Sequence, residues 1–300
     1  MDGNGGTREH EDDGGHGDHG DHGDHGDHGD HGDHGSVVDL ELDRAHSARM
    51  YDYFLGGITN FPADREAAGR AMAAFPTILI AARSNRAFMH RSTRHLARLG
   101  IEQFLDIGTG IPTSPNLHEV AQAVNPRARI IYTDNDPIVL AHARALLRSH
   151  PEGSTAYMQA DVTDPDALLK HPVLSSTFDF DAPIALSLNA LLHFITDRHD
   201  AHGIVERLKD ALPSGSTLTI SHVTPDFDPA AIARLTSVYE AAGTPGQART
   251  LEEISAFFVG WDLLEPGLTP VLRWRPDPDE PHLNVTDAEA ALYAGIARKP

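Results

Sequence analysis

Apolar positions along this chain follow two alternating rhythms. Short apolar runs at Phe104, Leu105 and Ile107, at Ile130, Ile131 and Tyr132, around Met158, from Ala182 to Leu188 and from Ser216 to His222 read as strands. Stretches of helical period lie between and after them: Pro137 onward with Val139, Leu140, Ala143, Leu146 and Leu147 on one face, then Pro165 to Lys170, Asp200 to Leu212, Pro229 to Ala242 and Leu251 to Phe258. Strands alternating with helices predict an α/β fold built on a parallel sheet. The last two apolar runs, Trp261 to Leu264 and Ala291 to Ala297, have no helix long enough to cross over between them. They are expected to pair antiparallel and complete a seven-stranded, mostly parallel sheet whose last strand is antiparallel. Before the first strand the pattern is helical: Ser47 to Leu55, stopped by Gly56 and Gly57, then Pro62 to Ala74 and Pro76 to Leu99. The expected organisation is an N-terminal helical cap over residues 36–100 and a ligand-binding core over residues 101–300.

The ends of the strands carry the chemistry. Gln103 to Ile107 stops at Asp106 and then at Gly108 and Gly110, where backbone can approach a ligand with no Cβ in the way. A dinucleotide site would aim helix N–H groups at a pyrophosphate through a third glycine. Here that position is Thr113, between Pro112 and Pro115, and the acid suits a cation better than a phosphate. S-Adenosylmethionine carries an ammonium and a sulfonium and no phosphate. The next strand ends at Asp134, where such folds place the carboxylate that binds ribose hydroxyls. Asp136 precedes Pro137 and reads as a helix cap. Asp161, after Met158, could accept from an adenine amine. Taken singly, these acids also suit a tight turn, a cap and a loop; three in series, separated by helical segments, are hard to explain as accidents of surface charge.

Composition narrows the field. The chain has 300 residues, 40% hydrophobic and without cysteine, enough for one α/β domain with appendages. No apolar run approaches the ~20 residues of a membrane span, and there is no apolar signal core, so a cytoplasmic protein without membrane contact is expected. Residues 1–35 hold eleven acids and one base, which accounts for half of the formal charge of −20. The remaining body is moderately acidic and predicts no nucleic-acid partner, which would need clustered Lys and Arg. From His16 to His34 the tail repeats His-Gly-Asp, with nothing apolar to bury; it is expected to be disordered. Its seven repeated histidines either chelate a divalent ion such as Zn²⁺ or Ni²⁺ loosely or form an expanded repeat with no role. No structural or catalytic metal site is expected in the body.

Tyr51, Tyr53, Asn60 and Phe61, in a segment dense in aromatics, amides and hydroxyls, suit a lid over a small organic ligand, and Arg83 or Arg86 could clamp a carboxylate. His193 and His222 fall near carboxyl ends of strands, where open α/β sheets keep their chemistry, and are the candidate bases for a hydroxyl or ammonium acceptor.

From about Ser47 to Lys299 the chain resembles an S-adenosylmethionine-dependent methyltransferase family long catalogued as a domain of unknown function. The resemblance rests on Ala48 to Tyr53 with Leu55 to Gly57, Asn60 and Phe61; Asn85 to Phe88; Phe104 to Gly110 with Pro112 and Thr113; His118 to Gln122; Tyr132 to Pro137; Leu191, His193 and Phe194; Ile220 to His222; and Glu265 to Gly267 with Trp274 to Pro276. Ser114 and Pro115 depart from it and stiffen the turn. It implies a class I, Rossmann-like methyltransferase fold, S-adenosylmethionine as cofactor and an unidentified small-molecule acceptor. The candidate cofactor residues are Asp106, Ile107, Gly108, Thr109 and Gly110 at the methionine part, Asp134 and Asn135 at the ribose, Asp161 and Val162 at adenine, and Asn189 at the end of a neighbouring strand. Two other classes share parts of this pattern. An NAD(P)-dependent oxidoreductase would use the same sheet and Asp134 but lacks its third glycine here. A non-catalytic S-adenosylmethionine sensor would keep the same pocket, since methyl transfer obliges no catalytic side chain.

Overall fold

The structure is a computed structural model that describes residues 1, 3, 42–146, 148–277 and 284–300. The His-Gly-Asp repeat lies outside the described residues. Residues Leu40–Pro300 form one compact unit, in which the N-terminal helices and the sheet belong together.

Three helices come first: α1 (Ser47–Phe54), α2 (Pro62–Ala74) and α3 (Ile78–Arg98). The His46 ring accepts from the Ala48 amide at 3.3 Å and starts α1. Gly56, at φ 81°, ends it, and a Cβ on Gly57 would run into the Asp52 carboxyl group. Pro62 opens α2 where its missing N–H costs nothing, and Asp64 accepts from the Phe61 amide at 2.8 Å. Pro76 and Thr77 form a turn, so α3 begins two residues later than the proline suggests.

Next come β1 (Gln103–Ile107), α4 (Leu117–Gln122), β2 (Arg129–Asp134), α5 (Pro137–Leu146), β3 (Ser154–Gln159), α6 (Pro165–Leu169), α7 (Pro172–Thr177), β4 (Ile184–Asn189), α8 (Ala201–Asp210), β5 (Thr217–Val223) and α9 (Pro229–Ala241). The chain closes with α10 (Leu251–Ser255), β6 (Asp262–Leu263), β7 (Thr269–Pro270), α11 (Asp287–Ala290) and β8 (Leu292–Arg298). The strands run in the order β3-β2-β1-β4-β5-β8-β6, with β7 also paired to β8. From β3 to β5 every pairing is parallel, and β8 is antiparallel to β5, β6 and β7. The seven expected strands are all present; the eighth, β7, is two residues long and contains a proline, so no alternation announces it. Helices α4, α7 and α11 span six residues or fewer, too short to show a helical period.

Strand alternation sorts the core into two layers. Phe104, Ile130 and Tyr132 pack on one face with Phe88 and Leu96 of α3, while Leu105, Ile107 and Ile131 pack on the other with Ile204 and Leu208 of α8. Burial of each such side chain contributes roughly 1.5–3 kcal/mol. A third cluster joins Met50, Phe54, Ala68 and Ile78 of the first three helices to Ile232 and Leu235 of α9. Strand order reverses at β1, between β2 and β4, and it is outside the carboxyl ends of such strands that a crevice opens.

Candidate active site

The carboxyl ends of β1, β2 and β4 open into a cavity of about 560 Å³, roofed by the N-terminal helices and α9. Gly108 and Gly110 take left-handed φ values of 73° and 68° in the turn after β1, and a Cβ on Gly108 would stand 2.7 Å from Leu191 Cδ1. Asp106 lines the cavity but is only 9% exposed. Burial pushes its carboxyl up to about 7, against the pull of Arg86 nearby. Asp134 is also buried, and burial raises it too. Its Oδ2 accepts from the Gly110 amide at 2.9 Å and its Oδ1 from the Asp136 amide at 3.0 Å, which leaves each oxygen a further lone pair. Asp136 is the cap the sequence suggests, accepting from the Ile138 amide at 2.8 Å. Asp161 is exposed at the cavity edge, where Oδ1 accepts from the Thr163 amide at 2.8 Å and from its hydroxyl at 2.7 Å. Ile107, Thr109, Asn135, Val162 and Asn189 line the same cavity. Both polar side-chain atoms of Asn189 are buried without a partner.

No phosphate seat exists at the turn. Asn116 and Glu119 form a capping box on α4, and Asn116 Oδ1 takes the Thr113 amide at 3.0 Å. The amides of Gly108, Thr109, Gly110, Thr113 and Asn116 are thus bonded to the protein itself, beside a carboxylate. Ser114 and Pro115 form a cis peptide whose Pro115 carbonyl accepts from Arg86 Nη2 at 2.8 Å.

Of the expected lid residues, Tyr51 and Arg86 reach the cavity and Arg83 is exposed elsewhere on α3. Tyr51 donates to the Ala82 carbonyl at 2.9 Å and accepts from Asn85 Nδ2 at 2.9 Å. Arg86 Nε is buried without a partner. Tyr53, Asn60 and Phe61 are not in the cavity wall, a correction to the expected lid. Tyr53 is 36% exposed on the outer side of α1. Asn60 ties the helix ends together, donating to Asp52 Oδ2 at 2.8 Å, and Phe61 packs with Ile111, Ile138 and Val139.

The two histidines separate. His193 faces the cavity, with Nδ1 buried and unpartnered; burial, then the charge of Arg249, lowers its pKa to about 3. His222 is fully buried outside the cavity wall, its ring centroid 5.5 Å from that of His193. Its Nδ1 donates to the Val223 carbonyl at 2.7 Å and its Nε2 accepts from Arg249 Nη1 at 3.0 Å. With both nitrogens occupied and the cation of Arg249 against it, His222 has no site for an acceptor's proton. Three features escaped the sequence reading. Residues Arg44–Arg49 form a strap over the cavity, pinned where Arg49 Nε meets Asp136 Oδ2 at 3.1 Å. Asn85 and Tyr239 also line the cavity; Ala48, Arg49 and Asn85 entered the sequence reading only as carriers of the resemblance, with no role assigned, and Tyr239 carried no signal.

A family model described as S-adenosyl methyltransferase matches residues 33–300. The chain belongs to the S-adenosyl methyltransferase family. Among solved structures, a DUF574 family protein from Streptomyces avermitilis is 47% identical, with 87% of this chain and 100% of that chain covered and a TM-score of 0.85. A proposed methyltransferase from Thermobifida fusca is 40% identical over 87% of this chain and 97% of its own, with a TM-score of 0.79. An O-methyltransferase family protein from Burkholderia thailandensis, 14% identical over 74% of this chain and 58% of that one, shares the fold at a TM-score of 0.50. No curated protein matches. This S-adenosyl methyltransferase therefore has the class I fold and S-adenosylmethionine as its cofactor, and nothing in these relationships supports an oxidoreductase. The site fits that cofactor: buried acids for a cation, an orphaned amide at Asn189 and no cradle for a phosphate. No described helix is long and apolar enough to cross a membrane, and no group of three or more metal-ligating side chains occurs among the described residues.

Proposed function

We propose that this methyltransferase acts on a small-molecule acceptor and holds its cofactor across the ends of β1, β2 and β3. The observation that carries the reading is the row of Asp106, Asp134 and Asp161 on one cavity, beside a helix start already capped by its own residues. S-Adenosylmethionine supplies a methyl group activated on a sulfonium. Asp106 accepts from the ammonium and Arg86 faces the carboxylate of the methionine part; Asp134 uses its free lone pairs for the ribose hydroxyls, and Asp161 Oδ2 takes the adenine amine. Gly108 and Gly110 let backbone close on the ligand, and Asn189 supplies the remaining amide bonds. Catalysis is then chiefly positioning, with the acceptor atom held in line with the methyl group. His193 lies on the acceptor side, where its neutral imidazole can receive a proton at Nε2 from an acceptor made strongly acidic by transfer.

A cytoplasmic enzyme is compatible with the cysteine-free composition, and the His-Gly-Asp tail is either a loose divalent-metal binder or an expanded repeat with no role. Calorimetry tests the cofactor reading. S-Adenosylmethionine binds and NAD does not, and Asp134→Ala weakens binding by about 1–3 kcal/mol because a buried acceptor of two hydroxyls is lost. Unchanged affinity in that variant contradicts the ribose role.

A further inference from the structure

Charge is divided across the cavity. Every carboxylate that lines it, Asp106, Asp134 and Asp161, stands at or just beyond the carboxyl end of β1, β2 or β3. The other half, beyond β4 and under the roof, is walled by Phe54, Phe75, Ile78, Ile232 and Leu235, without an acid among its lining residues. An ammonium entering there would lose its water and find no counter-charge. Arg86 donates to the carbonyls of Thr113 and Pro115 and its charge faces Asp106, and Arg44 lines the cavity with Nη2 3.6 Å from where a Cβ on Gly243 would stand, at the end of α9. Cations therefore border this half and acids do not. The polar groups of Tyr51, Tyr239 and His193 are neutral. Tyr51 and Tyr239 are kept protonated by burial, and His193 is kept uncharged by burial and by Arg249. The Tyr239 hydroxyl and both ring nitrogens of His193 make no hydrogen bond among the described residues.

We propose that the acceptor is a compact, largely apolar molecule without a positive charge, carrying one neutral hydrogen-bonding group and seated under α9 with that group between Tyr239 and His193. The proposal rests on the cofactor reading above, because only with the cofactor on the acidic side is the apolar half left for the acceptor. At about 560 Å³ for both ligands, the cavity admits a body of one or two rings and no folded partner.

The test uses two probes of one shape, 2-naphthol and 2-naphthylmethylammonium, titrated into the full chain saturated with S-adenosylhomocysteine. Naphthol is expected to bind at least about tenfold more tightly than the ammonium, the equivalent of about 1.4 kcal/mol. Equal or tighter binding of the ammonium, or no binding of naphthol, overturns the acceptor class while leaving the cofactor reading intact. Failure of S-adenosylhomocysteine itself to bind removes the cofactor reading and the acceptor class with it. Two variants locate the seat. Thr236→Asp, on the wall formed by α9, should invert the ranking in favour of the ammonium, and Tyr239→Phe, which keeps the ring, should weaken naphthol about three- to tenfold. Naphthol affinity unchanged in both variants, with S-adenosylhomocysteine still bound, places the probe elsewhere and overturns the proposal.

Discussion

At the scale of single residues, Asp106 sets the behaviour that is easiest to measure. Its carboxyl is pushed up to about 7, chiefly by burial, so it takes a proton as pH falls through neutrality. Affinity for S-adenosylmethionine should therefore fall as pH drops below about 7, and Asp106→Asn should flatten that dependence, both read by calorimetry between pH 6 and 8.5. The same shift acts on stability with the opposite benefit. A folded pKa above the unfolded value near 3.9 favours the fold at low pH, and this contribution is lost as pH rises through 7, at about 4 kcal/mol at most. Asp106→Asn should accordingly raise the midpoint of ligand-free unfolding at pH 8, a gain of stability bought with lost cofactor affinity. A carboxyl in an apolar strand was visible in sequence; its elevated pKa was not, because that depends on what covers the strand end. The histidines show the same limit. Both lie near strand ends in the sequence, yet only the fold shows that Arg249 occupies His222 and that His193 faces the cavity.

At the scale of elements, helix α1 is held over the cofactor side by charge rather than by its apolar face alone. Arg49 reaches Asp136 at 3.1 Å and Asp64 at 3.9 Å, with all three side chains buried. Arg49→Ala leaves those carboxylates buried without that cation and should destabilise the protein by about 3 kcal/mol or more in urea unfolding. Arg49→Lys, which keeps the charge without the planar fork, should recover part of the loss. Most elements were legible because their period and punctuation agree. Pro62–Ala74 carries the same bounds in sequence and structure, opened by a proline, and β2 ends in both at the acid Asp134. The lid was not legible in the same way. Tyr53, Asn60 and Phe61 stand beside Tyr51 in the chain, but the helical turn rotates Tyr53 outward and the Asn60–Asp52 bond draws the loop back onto the end of α1.

At the scale of the whole molecule, the unit from Leu40 to Pro300 contains the sheet, the roof and the complete cavity wall. A chain beginning at Leu40 should bind S-adenosylmethionine within about twofold of the full chain, since no lining residue is removed, while Ni²⁺ uptake measured by calorimetry should disappear with the histidine repeat. A tenfold loss of cofactor affinity would show that the removed segment contributes to the site. The roof joins helices near the start of the chain to α9, more than 130 residues later, and no local pattern records that meeting. By itself the sequence determined the α/β class, the strands and the three acids that end them, because each depends on neighbours within a few residues. Only the tertiary structure decided which side chains share one cavity and which half of it lacks acids, because those properties arise from burial between segments that touch only after the chain has folded.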